Sequence, residues 1–177
     1  METFGPVELQ QAWSALDRHL ADRGSRVELF VIGGAALVAG YGARRTTRDI
    51  DAVVLPSEAV PLVRAVVRAI ADELGWPDDW LNDAAKAYVR DPLPGAVLFQ
   101  GKALVVRMPV PEQLLAMKLS AWRDDVDVTD ARLLLGRCGV TEREDLWHRI
   151  IRHVLPGREL KARYAFDDLW DSAHGPA

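Results

Sequence analysis

Apolar positions along the chain follow two different periods, and the changes between them mark out its elements. From Pro6 to Asp22, Val7, Leu9, Trp13, Leu16 and Leu20 recur near helical spacing. Pro6 suits a first turn and Gly24 a stop, so this segment predicts an amphipathic helix covering a sheet. Val27 to Ile32 reads as a strand whose apolar run stops at the pair Gly33-Gly34. Ala35 to Tyr41 reads as a short apolar helix closed by Gly42. After a basic turn, Asp49 to Leu55 reads as a second strand. Ser57 then caps a long helix through Leu74, with Val60, Val63, Val67 and Ile70 as its buried stripe. Arg64 and Arg68 on that helix read as a solvated face.

Gly75 to Pro94 is less regular. Trp76, Trp80 and Tyr88 stand among three prolines, which suggests a short helix between two breaks. Such aromatics either fill a core or stack a base, and Asp78, Asp79, Asn82 and Asp83 read as cap and surface groups. Ala96 to Gln100 and Ala103 to Met108, split by Gly101-Lys102, predict an antiparallel hairpin extending the sheet beside the Asp49–Leu55 strand. Pro111 and Glu112 open a helical stretch reaching Leu135, in which Asp127 or Thr129 can cap the run Ala131 to Leu135. Thr141 to Glu144 has the form of a capping box for a helix over Leu146 to Val154. Pro156-Gly157 then breaks the chain before a helix over Glu159 to Trp170, and Leu146, Ile150, Val154, Leu160, Tyr164, Phe166 and Leu169 supply the packing faces. The expected fold is α+β: a short mixed β-sheet flanked by helices over residues 1–110, and a helical C-terminal half over 111–177 of the same domain.

Composition narrows the class. A chain of 177 residues that is 49% hydrophobic can bury the core of one globular domain. Its net charge of −4 provides no global basic field to draw it onto nucleic acid, so any such contact must use a local patch. The single cysteine, Cys138, excludes an intramolecular disulfide and fits a reducing compartment. No stretch is apolar for long enough to span a membrane, and the start has neither the basic nor the apolar region of a signal peptide. The expectation is a cytoplasmic protein with no membrane partner. His19, His148, His153 and His174 have no Cys or Glu at zinc spacing, and no Walker loop or internal repeat is present.

The chemistry concentrates between Phe30 and Val54. Alternate residues of a strand share a face, so Asp49 and Asp51 point together while Ile50 and Ala52 point the other way. Adjacent carboxylates repel unless they are protonated or bridged by a cation. A strand that starts on paired acids and ends in valine is therefore a candidate site for a hard cation, Mg²⁺ held together with phosphate oxygens. Gly33-Gly34 strengthens this reading, because glycines after a strand let backbone approach a ligand and present amides at a helix N-terminus.

Strand, Gly-Gly, helix, basic turn and D-x-D in that order resemble the nucleotidyltransferase superfamily of DNA polymerase beta, and more closely its AbiEii-type and MenT-like toxins. The likeness rests on Gly33, Gly34, Arg45, Thr47, Asp49 and Asp51 and on a second block, Lys118, Ala121, Arg123, Asp127 and Asp130, which match a K-x-x-A-x-R…D-x-x-D pattern. It implies that Gly33, Gly34, Arg45 and Thr47 hold the phosphates of a nucleoside triphosphate and that Asp49 and Asp51 hold catalytic magnesium. Lys118 would neutralise the triphosphate, and Asp127 would hold Lys118 or act as general base. Read from the residues alone, Lys118 sits in an apolar run and must either snorkel out or meet an anion. One departure stands out: the superfamily usually places a third carboxylate on the hairpin strands, yet no Asp or Glu occurs from Pro92 to Pro111. One magnesium with triphosphate oxygens is the arrangement this leaves open.

The resemblance implies transfer of a nucleoside monophosphate from an NTP to a hydroxyl, with the tRNA 3′ end as acceptor, by a toxin held in check by a cognate antitoxin. Arg149, Arg152, His153, Arg158, Lys161 and Arg163 form the candidate RNA contact. The rival readings are a nucleotidyltransferase acting on an antibiotic and a non-catalytic binding protein of the same fold.

Overall fold

The computed structural model describes residues 3–43, 46–83, 89, 91–123 and 125–175. The chain forms two compact units, Met1–Pro109 and Val110–Ala177.

The first unit is a five-stranded mixed sheet flanked by helices. In chain order it comprises α1 (Pro6–Asp22), β1 (Val27–Ile32), α2 (Gly33–Tyr41), β2 (Ile50–Leu55), a 3-10 turn (Ser57–Ala59), α3 (Val60–Leu74), β3 (Leu81–Asn82), β4 (Pro94–Gln100) and β5 (Leu104–Pro109). The strands lie in the order β3-β2-β1-β5-β4. β1 runs antiparallel to β2 and parallel to β5, and β3 runs parallel to β2. Because paired residues share a face, Leu29, Val31, Ala52, Val54, Leu104, Val106 and Met108 form one side of the sheet. The helices pack on that side: a Cβ on Gly40 of α2 would collide with the Met108 sulfur. The opposite side carries Glu28, Phe30 and Ile32 on β1, Asp51, Val53 and Leu55 on β2, and Val105 and Arg107 on β5.

Helix α1 has the bounds its pattern predicts, with Leu9, Trp13, Leu16 and Leu20 buried, but Val7 is 74% exposed. At its start Glu8 accepts the Gly5 amide at 2.9 Å, satisfying a backbone donor that the helix itself cannot. The Ser57 cap is not made: Ser57 opens a 3-10 turn, its hydroxyl donates to Glu58 at 3.2 Å, and the regular helix starts at Val60. The hairpin forms, but not beside the D-x-D strand. β3 takes that edge of β2, and β5 adds to β1 instead. There its apolar side joins Leu29 and Val31 against the helices, and Arg107 finds Glu28 across the strands as an ion pair. Trp80 fills the core at 1% exposure, its indole donating to the Val67 carbonyl at 3.0 Å, against Trp76 and Phe4. Tyr88 lies outside the described residues.

The second unit is helical: α4 (Pro111–Ala121), α5 (Asp125–Arg137), α6 (Arg143–Ile151) and α7 (Glu159–His174). Trp122, at φ 35°, ends α4 in the left-handed region, so the predicted stretch to Leu135 divides into two helices. Helix α6 begins at Arg143 with no side-chain cap from Glu142. Leu160 and Tyr164 are 69% and 66% exposed, while Phe166 and Leu169 make the inner face of α7. No helix among the described residues is long and apolar enough to cross a membrane.

Candidate active site

The first cluster is assembled by strand register. β1 ends at Ile32, which pairs with Asp51 of β2, so the residue after Ile32 meets the Asp51 carboxylate. That residue is Gly33, which opens α2 at φ +62°. A Cβ built there would lie 3.3 Å from Asp51 Oδ2. Glycine is thus favoured twice over, by a dihedral that costs other residues about 1–2 kcal/mol and by a carboxylate that would have to give way slightly to a Cβ. Gly33 and Gly34 form the first turn of α2 rather than a loop before it. Their amides therefore belong to the N-terminal turn, where backbone donors lack helical partners.

Asp49 stands just outside β2 and is exposed; Asp51 is half-buried. Between them Ile50 is fully buried and its amide donates to the Trp80 carbonyl at 2.9 Å. Asp51 has its carboxyl pushed above the usual range, first by burial and then by the charge of Asp49, against a hydrogen bond from the Asn82 side chain. Thr47 is buried and spoken for locally. Its amide and carbonyl pair with Phe4 at 2.9 and 2.7 Å, and its hydroxyl donates to the Asp49 carbonyl at 3.2 Å. In this structure Thr47 shapes the backbone at Asp49. Arg45 lies outside the described residues.

Two neighbouring carboxylates, one of them disfavoured as the anion by burial and by the charge of the other, beside a glycine turn suit a hard divalent cation that would relieve the repulsion. Among the described residues no group of three or more His, Cys, Asp or Glu side chains could hold a metal. A cation on Asp49 and Asp51 would complete its shell with water or with phosphate oxygens. Asn82 is the residue that sequence reading missed. A two-residue strand leaves no periodic signal, and only pairing of β3 with β2 sets Asn82 beside Asp51.

The second cluster belongs to the helical unit. Lys118 of α4 lies 2.7 Å from Asp127 Oδ1 and 2.7 Å from Asp130 Oδ2. Asp127 Oδ2 also accepts from the Arg123 amide at 3.1 Å and its guanidinium at 3.2 Å. The carboxylates are 3% and 2% exposed, so the lysine meets anions rather than snorkelling. Neither aspartate caps a run from Ala131, because α5 already begins at Asp125; three residues apart, both face Lys118. Burial alone would raise the Asp127 carboxyl, but hydrogen bonds and charge from Lys118, joined by Arg123, hold it below its ordinary range. A group so stabilised as the anion is a weak base and a firm anchor.

The basic residues of α6 and α7 are largely matched. Arg149 lies 3.7 Å from Glu112, Arg163 bonds Glu144 and Asp167 at 2.6 and 3.0 Å, and Lys161 donates to the Ala121 carbonyl. Burial raises the Cys138 thiol to about 12, against any nucleophilic role.

Among known families, the chain matches the model for a nucleotidyltransferase of unknown function (DUF6036) over residues 8–151. Searches of curated proteins and of solved structures returned no match.

Proposed function

The chain belongs to this nucleotidyltransferase family, and from that premise we propose that it transfers a nucleoside monophosphate from an NTP to a hydroxyl. The acceptor oxygen attacks the α-phosphorus and forms the new P–O bond. The bond to the bridging oxygen breaks, pyrophosphate leaves with the electron pair, and the hydroxyl proton passes to solvent. The observation that carries the reading is the Asp51 carboxylate set so close to the Gly33 turn that a Cβ on Gly33 would lie 3.3 Å from its Oδ2, with Asp49 beside it. Asp49 and Asp51 would hold Mg²⁺, which when bound supplies charge neutralisation and a template for the triphosphate oxygens. Gly33 and Gly34 offer amides to phosphate, and Thr47 fixes the backbone from which Asp49 projects. Lys118 is assigned to neutralising triphosphate charge, with Asp127 holding it. Work of this kind is mostly positioning and electrostatics.

The acceptor we assign is the tRNA 3′ end, and the biological role is that of a toxin with a cognate antitoxin; motif resemblance is the support. One observation favours a small hydroxylated acceptor such as an antibiotic: Arg149 and Arg163, proposed for RNA, already have acidic partners. The test is incubation with each labelled NTP, magnesium and either total tRNA or a panel of aminoglycosides and lincosamides. Label should pass to one acceptor class and be lost by about 10²–10³-fold in Asp51→Ala, the scale of removing a principal electrostatic group. Undiminished transfer by Asp51→Ala would overturn the assignment.

A further inference from the structure

We infer that Asn82 is a positioning residue for this site: carried in register on β3, it holds the Asp51 carboxylate turned toward Gly33. The inference rests on the reading of Asp49 and Asp51 given above and adds a residue that lies outside the motif.

Three observations carry it. Asn82 pairs with Asp51 between parallel strands about 4.8 Å apart, which sets the two side chains on one face. Its side chain hydrogen-bonds the Asp51 carboxylate; an ionised carboxylate only accepts, so the Asn82 amide is the donor. The third observation is how firmly Asn82 is held. A two-residue strand has too few ladder bonds to fix itself, yet β3 is pinned on both sides. Before it, Trp80 gives its carbonyl to Ile50 at 2.9 Å and its buried indole to Val67 at 3.0 Å. After it, Asp83 takes a two-pronged contact from Arg64 of α3 at 2.7 and 3.0 Å. Arg64, which the helical pattern assigns to a solvated face, thus clamps the strand that carries Asn82.

The arrangement answers a local problem. Asp51 stands beside Asp49, and repulsion would swing its carboxylate away from its neighbour. A fixed donor opposes that rotation and keeps an oxygen at the glycine turn. Partners of this kind around metal-binding carboxylates are typically worth about 10–100-fold in metal affinity.

The test uses the full chain and Mn²⁺ as a spectroscopic stand-in for magnesium. Free Mn²⁺ is followed by electron paramagnetic resonance during titration of wild type, Asp51→Ala, Asn82→Ala and Arg64→Ala, with the melting temperature of each recorded. Asn82→Ala should bind Mn²⁺ about 10–100-fold more weakly while melting as the wild type does. A merely structural asparagine would shift melting and leave affinity alone. Wild-type affinity in Asn82→Ala, with binding abolished in Asp51→Ala, overturns the role of Asn82 and spares the site. Wild-type affinity in Asp51→Ala overturns the site itself. Should Asn82→Ala not fold, Arg64→Ala decides: its side chain is 57% exposed, so the fold should survive its loss. Weakened Mn²⁺ binding then supports the inference, and unchanged binding overturns it.

Discussion

At Asp51 burial and charge act in the same direction. Both disfavour the carboxylate, and its pKa is raised from 3.8 by burial first and Asp49 second. A carboxyl whose folded pKa exceeds its unfolded one destabilises the fold wherever it must be charged, and the penalty is relieved as pH falls through the folded value. In the absence of divalent ions, Asp51→Asn should therefore melt higher than wild type at pH 7. The difference should shrink toward nothing as pH drops below the unfolded value of 3.8. Added Mg²⁺ should raise the melting temperature of the wild type and leave Asp51→Asn unmoved, since only a folded-state ligand stabilises by mass action. Calorimetry with and without chelator reads both, and an Asp51→Asn that melts lower at pH 7 would contradict the account. The acid pair was legible in the chain because D-x-D has strand spacing. That Asp51 is the more buried of the two and has Asn82 beside it shows only in the folded sheet.

Two contacts join elements whose sequences give no hint of each other. Asp17 of α1 accepts the Ala103 and Leu104 amides at 2.7 and 2.9 Å, tying the helix to the β4–β5 turn. Burial works against this carboxylate, but the backbone donors and Lys102 outweigh it and lower its pKa. The sign is opposite to that at Asp51: the stabilisation is present above 3.8 and is lost as pH falls through the depressed folded value. Asp17→Ala should lower the melting temperature at pH 7, and the gap to wild type should close below pH 3.8 in a melting series. Lys118, Asp127 and Asp130 bind α4 to α5 in the same manner. Lys118→Met removes the ammonium that two buried carboxylates share and should cost about 3–5 kcal/mol in denaturant unfolding. Adding Asp127→Asn and Asp130→Asn should recover part of that loss. In the sequence the lysine was conspicuous for its apolar setting, whereas capping explained both aspartates equally well. The left-handed turn at Trp122, which brings α5 back onto α4, decided between these readings.

For the whole molecule the governing quantity is charge. In a chain with net charge −4, the internal matching of Arg149 and Arg163 leaves fewer cations of the predicted patch to neutralise a phosphate backbone. If tRNA is the acceptor, about two or three phosphates neutralised on single-stranded RNA make affinity fall roughly tenfold for each fourfold rise in salt. Transfer to tRNA should then show a KM that climbs by about that factor between about 50 and 200 mM salt, while transfer to a small neutral acceptor stays level. A flat salt profile with tRNA would argue that the RNA is not held through its backbone.

The sequence alone determined the ends of α1 and β1, the class of fold and the Gly-Gly and D-x-D blocks. All of these are written in short-range spacing, where each residue's partner is a few positions away and the backbone period sets the face. Tertiary structure decided what pairing across the sheet must settle: the hairpin at β1 rather than β2, Asn82 at Asp51, and Asp17 in the hairpin turn. It also turned Asp127 and Asp130 from caps into anchors for Lys118. The physical reason is one of range. A residue's conformational preference is local, but a buried charge or an open strand edge is satisfied by whichever partner the folded chain brings near.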